Sequence, residues 1–140
     1  MGEPRTLDEI RETILAMPFA AAMQLDIEQA ANGVGVVAMP LADSVSFNGR
    51  AFAGIAVAAV ADVAAGAAAF SVIPREQMAF TGTVETTITA STEGSRVSAS
   101  AQLRGRDGDE MVLDAAVRVQ RTDGTWRECG SATITLHLLD

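Results

Sequence analysis

Between Ala51 and Ile73 the chain reads Ala-Phe-Ala-Gly-Ile-Ala-Val-Ala-Ala-Val-Ala-Asp-Val-Ala-Ala-Gly-Ala-Ala-Ala-Phe-Ser-Val-Ile, and Asp62 is the only ionisable side chain in it. A lone carboxylate among apolar residues carries a large desolvation cost unless a cation pairs with it or chemistry uses its raised pKa. Such a group can act as a general base for water or as a nucleophile, and the residues alone leave both open. The competing structural roles are capping a broken helix or pairing with an arginine such as Arg50 or Arg75. On a helix, the positions three and four residues from Asp62 are Ala58, Ala59, Ala65 and Gly66. All are too small to fill the space beside it, which leaves room for a substrate.

Few other side chains could share the work. All ten basic residues are arginine, so lysine Schiff-base chemistry is excluded, and fixed contacts with phosphate or carboxylate must come from guanidinium groups. Cys129 is the only cysteine, which rules out an intrachain disulfide and a cysteine-based zinc cage. His137 is the only histidine and lies in an alternating Thr-Ile-Thr-Leu-His-Leu run, where it reads as an ordinary strand residue rather than part of a triad. Thr81 and Thr83 offer hydroxyls, although threonine is also simply a favoured strand residue. Asn48-Gly49 is either a turn or a loop asparagine that orients a reacting group.

The elements that must position these residues follow from periodicity and turn signals. Thr6 with Glu9 three residues on has the form of a capping box, and Ile10, Ile14, Leu15 and Met17 recur at helical spacing, so a short amphipathic helix should end before Pro18. Phe19–Met23 reads as a further helical turn. Strands at 24–31 and 34–40 flank Asn32-Gly33, a strong two-residue hairpin signal. A polar loop, Asp43–Gly49, leads to the Ala51–Ile73 run, which Pro74 should end. Four strands are expected from Met78 onward: Phe80–Ala90, Arg96–Gly105, Met111–Gln120 and Arg127–Leu138. The turns Glu93-Gly94, Asp107-Gly108 and Asp123-Gly124 would join them as a meander.

With 140 residues, 49% hydrophobic and 20% charged, the chain is one folded domain spanning 1–140, with a helical segment at 1–23 and a central helix at 51–73. A run apolar on every face belongs inside a protein or a membrane. Alanine contributes little to insertion, and a mid-span aspartate opposes it by about 3 kcal/mol. The favoured reading is therefore a small-residue helix that strands can approach closely, with no membrane partner. A net charge of −8 argues against nucleic acid. Acidic residues near the N-terminus, where an export signal would need a basic head, favour a cytoplasmic protein.

Two strands, one long Ala-rich helix and four strands form an α+β chain in which an antiparallel sheet wraps the helix, and this order resembles the hot-dog fold. Asn48-Gly49-Arg50-Ala51-Phe52-Ala53-Gly54 followed by Asp62 is similar to the acyl-CoA thioesterases related to the phenylacetate-degradation enzyme, over almost the whole chain after the first helix. The resemblance implies hydrolysis of a small or aromatic acyl thioester. Asp62 would be the base or nucleophile, Asn48 an orienting group, and Gly54 would polarise the carbonyl through backbone N–H groups, with Ala53 beside it. It also implies a homodimer or homotetramer with sites shared between subunits, coenzyme A only as part of the substrate, and no metal. Arg75, Arg96, Arg104 and Arg106 are the candidates for its phosphates. The family's usual His-Gly-Gly at the helix start is Ala53-Gly54-Ile55 here, and Asn48 stands about one residue nearer the helix than usual. An alternative is a hot-dog protein that binds an acyl thioester or other apolar ligand without cleaving it.

Overall fold

The computed structural model describes residues 2–139. Helix α1, Leu7–Leu15, starts at the expected capping box: the Glu9 N–H donates to Thr6 Oγ1 at 3.2 Å, and the Thr6 N–H donates to Glu9 Oε1 at 3.1 Å. Both bonds satisfy donors that a helix start leaves without an intrahelical partner. Its buried face is Ile10 and Ile14. A short helix α2, Pro18–Ala22, follows with proline at its first turn, where the missing N–H does no harm. Arg75 holds this segment to the chain after the central helix, donating to Glu9 at 2.8 and 3.1 Å.

Strands β1 (Asp26–Ala31) and β2 (Val34–Pro40) form the expected hairpin. Asn32 and Gly33 both take positive φ, 54° and 80°, as a tight turn matched to strand twist requires. The remaining strands are β3 (Met78–Ile88), β4 (Arg96–Asp107), β5 (Glu110–Gln120) and β6 (Trp126–Leu139). All pairings are antiparallel, in the order β1-β2-β4-β5-β6-β3. The four-strand meander is thus corrected: β4, β5 and β6 are consecutive neighbours, but β3 pairs with β6 at the far edge. Glu93-Gly94 does not close a hairpin. The stretch after β3 crosses the end of the sheet, where the Thr89 N–H donates to Cys129 O, the Phe52 N–H to Thr92 O, and the Ser95 N–H to Gln120 O.

The sheet curls around helix α3, Gly54–Phe70. Val57, Val60, Ala61, Ala64, Ala67 and Ala68 are fully buried in the core with strand residues such as Val37, Leu113 and Ile134. Small residues set the spacing. A Cβ added to Gly35 on β2 would lie 2.3 Å from Ala64 O and 2.7 Å from Ala68 N, so the helix backbone rides directly on that strand. Helix α3 is shorter than the apolar run at both ends. Ala51 and Phe52 are held in bridges, and the chain leaves the helix at Ser71 rather than Pro74: the Ser71 hydroxyl donates to Ala68 O at 2.6 Å and accepts the Gly33 N–H at 2.9 Å. Among the described residues no helix is long and apolar enough to cross a membrane.

Helix α3 is not enclosed on all sides, although its sequence is apolar all round. Gly54 and Ile55 are exposed, and Ala58, Ala59, Asp62 and Gly66 are partly so. Ile55 is 82% exposed. One face of the helix therefore lies outside the curl of its own sheet.

Candidate functional site

Asp62 lies on that open face, and strand β3 passes beside it. The Thr81 hydroxyl donates to Asp62 Oδ1 at 2.7 Å. Among the described residues no cation pairs with the carboxylate; of the two arginines considered for it, Arg75 is engaged with Glu9. Burial pushes the Asp62 carboxyl above the usual carboxylate range, and the Thr81 hydroxyl draws it partly back. The result is a partly desolvated carboxyl with one oxygen fixed by a hydroxyl, an environment suited to acid–base chemistry.

The pair borders a cavity of about 270 Å³. Its other walls are apolar and include Val63, Gly66 and Phe70 from α3, Leu136 from β6, and Ile14, Met17 and Phe19 from the N-terminal helices. The N-terminal residues were not legible as site residues, because their helical spacing reads as core packing. Phe70, too, reads as core. A faint signal was present in Phe19, a large apolar residue just beyond the proline that stops α1; it is 48% exposed.

Gly66 stands one turn after Asp62. Glycine inside a helix is less favourable than alanine by about 1 kcal/mol. A Cβ added at Gly66 would meet nothing within 4 Å, so packing within this chain does not require the glycine. Gly35 is the opposite case, with backbone where its Cβ would be.

Not every residue near Asp62 in sequence is near it in the site. Ala65 is fully buried in the core and does not line the cavity. Ala58 is also absent from its walls, and Ala59 borders a separate hollow with Ile55, Met23 and Val45. Thr81 and Thr83 part company because the register of β3 against β6 shifts between them. Thr81 is opposite Leu136, whose side chain faces inward, whereas Thr83 is opposite Thr135 on the outer face. Gly82 occupies the irregularity: a Cβ there would fall 2.4 Å from His137 Nε2. His137 follows inward-facing Leu136 and so points to the outer face, where its ring lies 5.3 Å from that of Phe80. It forms no triad with Asp62.

Asn48 and Gly54 border a second hollow, of about 330 Å³, at the other end of the helix. Asn48 Oδ1 accepts the Arg50 and Ala51 N–H groups, each at 2.9 Å, while Ser46 Oγ accepts the N–H groups of Asn48 and Gly49. The turn reading of Asn48-Gly49 is therefore correct, and only the Asn48 amide NH2 is left over from that turn to donate elsewhere. The loop is braced further by Thr92, whose hydroxyl donates to Phe52 O at 2.8 Å. Ala53 is the N-cap residue of α3 and supplies no side-chain cap. Serine, threonine or aspartate there would be worth about 1 kcal/mol more, so the helix start keeps N–H groups that no cap occupies. Asp62 stands eight positions after Gly54, a rise of about 12 Å along the helix.

The four arginines considered for phosphate are engaged elsewhere: Arg75 with Glu9, Arg96 with Asp26, Arg104 with Asp114, and Arg106 with Gly108 O. Among the described residues no group of three or more His, Cys, Asp or Glu side chains gathers in a way that could hold a metal ion.

No family model and no curated relative matches this sequence. Solved structures do match. A thioesterase family protein from Silicibacter pomeroyi superposes with a TM-score of 0.86 at 25% identity, covering 94% of this chain and 96% of that one. The chain has the hot-dog fold. Two further likenesses bear on the fold alone. A thioesterase from Haemophilus influenzae has a TM-score of 0.83 at 12% identity, covering 99% of this chain and 93% of that one. The PaaI protein of the phenylacetic acid degradation operon of E. coli has a TM-score of 0.75 at 15% identity, covering 96% and 97%. The structural neighbours are thus thioesterase-family hot-dog proteins, and they point to a thioesterase.

Proposed function

We propose that this protein is a cytoplasmic acyl-CoA thioesterase that hydrolyses a small or aromatic acyl thioester, working as a homodimer or homotetramer. The observation that carries the reading is the Asp62–Thr81 pair, an uncompensated carboxylate with a raised pKa on the wall of an apolar cavity. In one route Asp62 takes a proton from the attacking water, whose oxygen bonds to the carbonyl carbon as the C–S bond breaks, and the proton passes to the departing thiolate of coenzyme A. In the other Asp62 attacks the carbonyl carbon itself, the thiolate leaves, and water hydrolyses the resulting acyl-aspartyl anhydride. Negative charge develops on the carbonyl oxygen as the attack proceeds, and the uncapped N–H groups at Gly54, at the positive end of the helix dipole, are suited to receive it.

Distance supports a shared site. The base and the oxyanion donors must each come within about 3 Å of the reacting group. Within one subunit Gly54 and Asp62 are about 12 Å apart along one helix. One carbonyl is served by both if Gly54, Ala53 and the Asn48 loop come from one copy and Asp62 with Thr81 from another. The coenzyme A is substrate, and the scheme uses no metal.

Complementation between two inactive variants tests this. Gly54→Pro deletes one N–H at a helix start where proline is tolerated, and Ala53, with φ −62° and ψ 148°, already has the conformation that precedes proline. This variant and Asp62→Asn should each lose about a hundredfold or more in thiol release. Coexpressed, they should regain activity that neither shows alone, because a mixed dimer contains one intact site. No recovery in verified mixed dimers contradicts the shared site. Saturable binding of acyl-CoA with no thiol release by the wild type would instead favour the binding protein, with Ala53 standing where the family pattern has histidine.

A further inference from the structure

We propose that Gly66 sets the length of acyl group this site accepts, and that within the small or aromatic class the acyl group is uncharged and longer than acetyl rather than acetyl or carboxyl-terminated. The proposal rests on the reading of Asp62 as the group that acts on the thioester.

Asp62, Gly66 and Phe70 are spaced four residues apart and form one stripe along α3, so the cavity follows the helix for two turns, about 12 Å, beyond the carboxylate. Among the described residues, Asp62 and Thr81 are the only polar side chains on its walls. The walls past them are apolar, and the Arg5 guanidinium, 4.5 Å from the Phe70 ring centroid and donating to Gln77 O, does not line the cavity, so a terminal carboxylate placed there would lose its water without gaining a partner on the walls. Gly66 is the narrowest side chain on the stripe, and a Cβ built on it points into open space. Apart from Gly54 at its first position, the helix is otherwise alanine and larger residues, so Gly66 is a helix-weakening glycine in the interior where alanine would fit. The opposite wall is made by Ile14, Met17 and Phe19 of the same chain, so the space beside Gly66 belongs to a cavity that starts at the reacting carboxylate. An acyl tail is the occupant continuous with that carboxylate.

The test is calorimetric titration of the full chain with S-alkyl thioethers of coenzyme A, which cannot be hydrolysed, carrying ethyl, hexyl and ω-carboxyhexyl groups. Each methylene buried should raise wild-type affinity about fourfold between ethyl and hexyl. The ω-carboxyl compound should fall back toward the ethyl value. Gly66→Leu should remove at least about tenfold of the hexyl gain, with Gly66→Ala intermediate, as expected if side-chain volume displaces methylenes. Gly66→Ala retains helix-forming backbone and guards against a misfolded leucine variant. The same chain-length dependence in wild type and both variants overturns the proposal. So does a loss of affinity that tracks dissociation of the oligomer in sedimentation of the same samples, since Gly66 would then be serving contact with a second copy. Because thioethers report binding alone, failure to hydrolyse the matching thioesters would count against the hydrolytic reading and leave the chain-length result to judge Gly66.

Discussion

Asp62 combines two pressures that act in opposite directions on its proton. Burial raises its pKa, and the hydroxyl of Thr81, 2.7 Å away, lowers it by less. A raised folded-state pKa means that the native state binds more protons than the unfolded chain between the two pKa values, so stability falls as pH rises through that interval. Asp62→Asn, which has no charge to desolvate, should therefore melt at a higher temperature than the wild type at neutral pH. The difference should shrink as pH is lowered below the ordinary carboxylate range, where both side chains are neutral. Thermal denaturation of the two proteins across this range checks it, and equal melting at neutral pH would mean that the carboxylate is comfortably solvated. Asp62 stood out as a candidate in the sequence because one charge in an otherwise apolar run has few structural explanations. Which threonine would lie beside it was ambiguous until the register was known, since Thr83 equals Thr81 in type and spacing and differs only by the irregularity at Gly82.

At the scale of elements, local signals survived and pairing did not. The Thr6–Glu9 box and the Asn32-Gly33 turn act between residues a few positions apart, so their chemistry specifies the geometry directly. The place of β3 in the sheet depends on contacts with β6, far along the chain, and Glu93-Gly94 carries the same residue types as a hairpin turn while bonding instead to the loop before α3. The alanine run announced a packed helix but not that one of its faces stays open, because alanine suits both a close helix–strand contact and a cavity wall. The α1 capping box bears on the cavity as well as on folding, since α1, α2 and the turn between them place Ile14, Phe19 and Met17 on its wall. Thr6→Ala should destabilise the protein by about 1 kcal/mol in chemical denaturation. It should also raise the KM for longer acyl groups more than for short ones. A stability loss with no change in that preference would detach α1 from the site.

The whole molecule leaves two adjoining features uncovered, the edge strand β3 and the open face of α3. Met78, Phe80 and Ile88 on β3 are exposed, as are Ile55 on α3 and Phe47 in the preceding loop, the last 69% exposed. Edge strands with unpaired backbone groups and apolar side chains invite another chain. The separation of Gly54 from Asp62 gives the same surface a chemical reason to be covered by a second copy. For an isolated chain, Ile55→Glu would place an acid in the first turn of an exposed helix and slightly favour it. If a second copy covers that face, the same substitution buries a charge and should shift sedimentation from dimer toward monomer, with activity falling in parallel. A wild-type protein that sediments as a monomer at micromolar concentration would contradict the shared site.

If Asp62 acts on acyl thioesters, thiol release reports it directly. Free-thiol release should be followed for wild type and Asp62→Asn across short, long and aromatic acyl-CoAs. Turnover by the wild type is expected, strongest for apolar acyl groups, with a loss of about a hundredfold or more in a folded Asp62→Asn protein. Undiminished turnover in that variant, or none in the wild type across the whole panel, would contradict it.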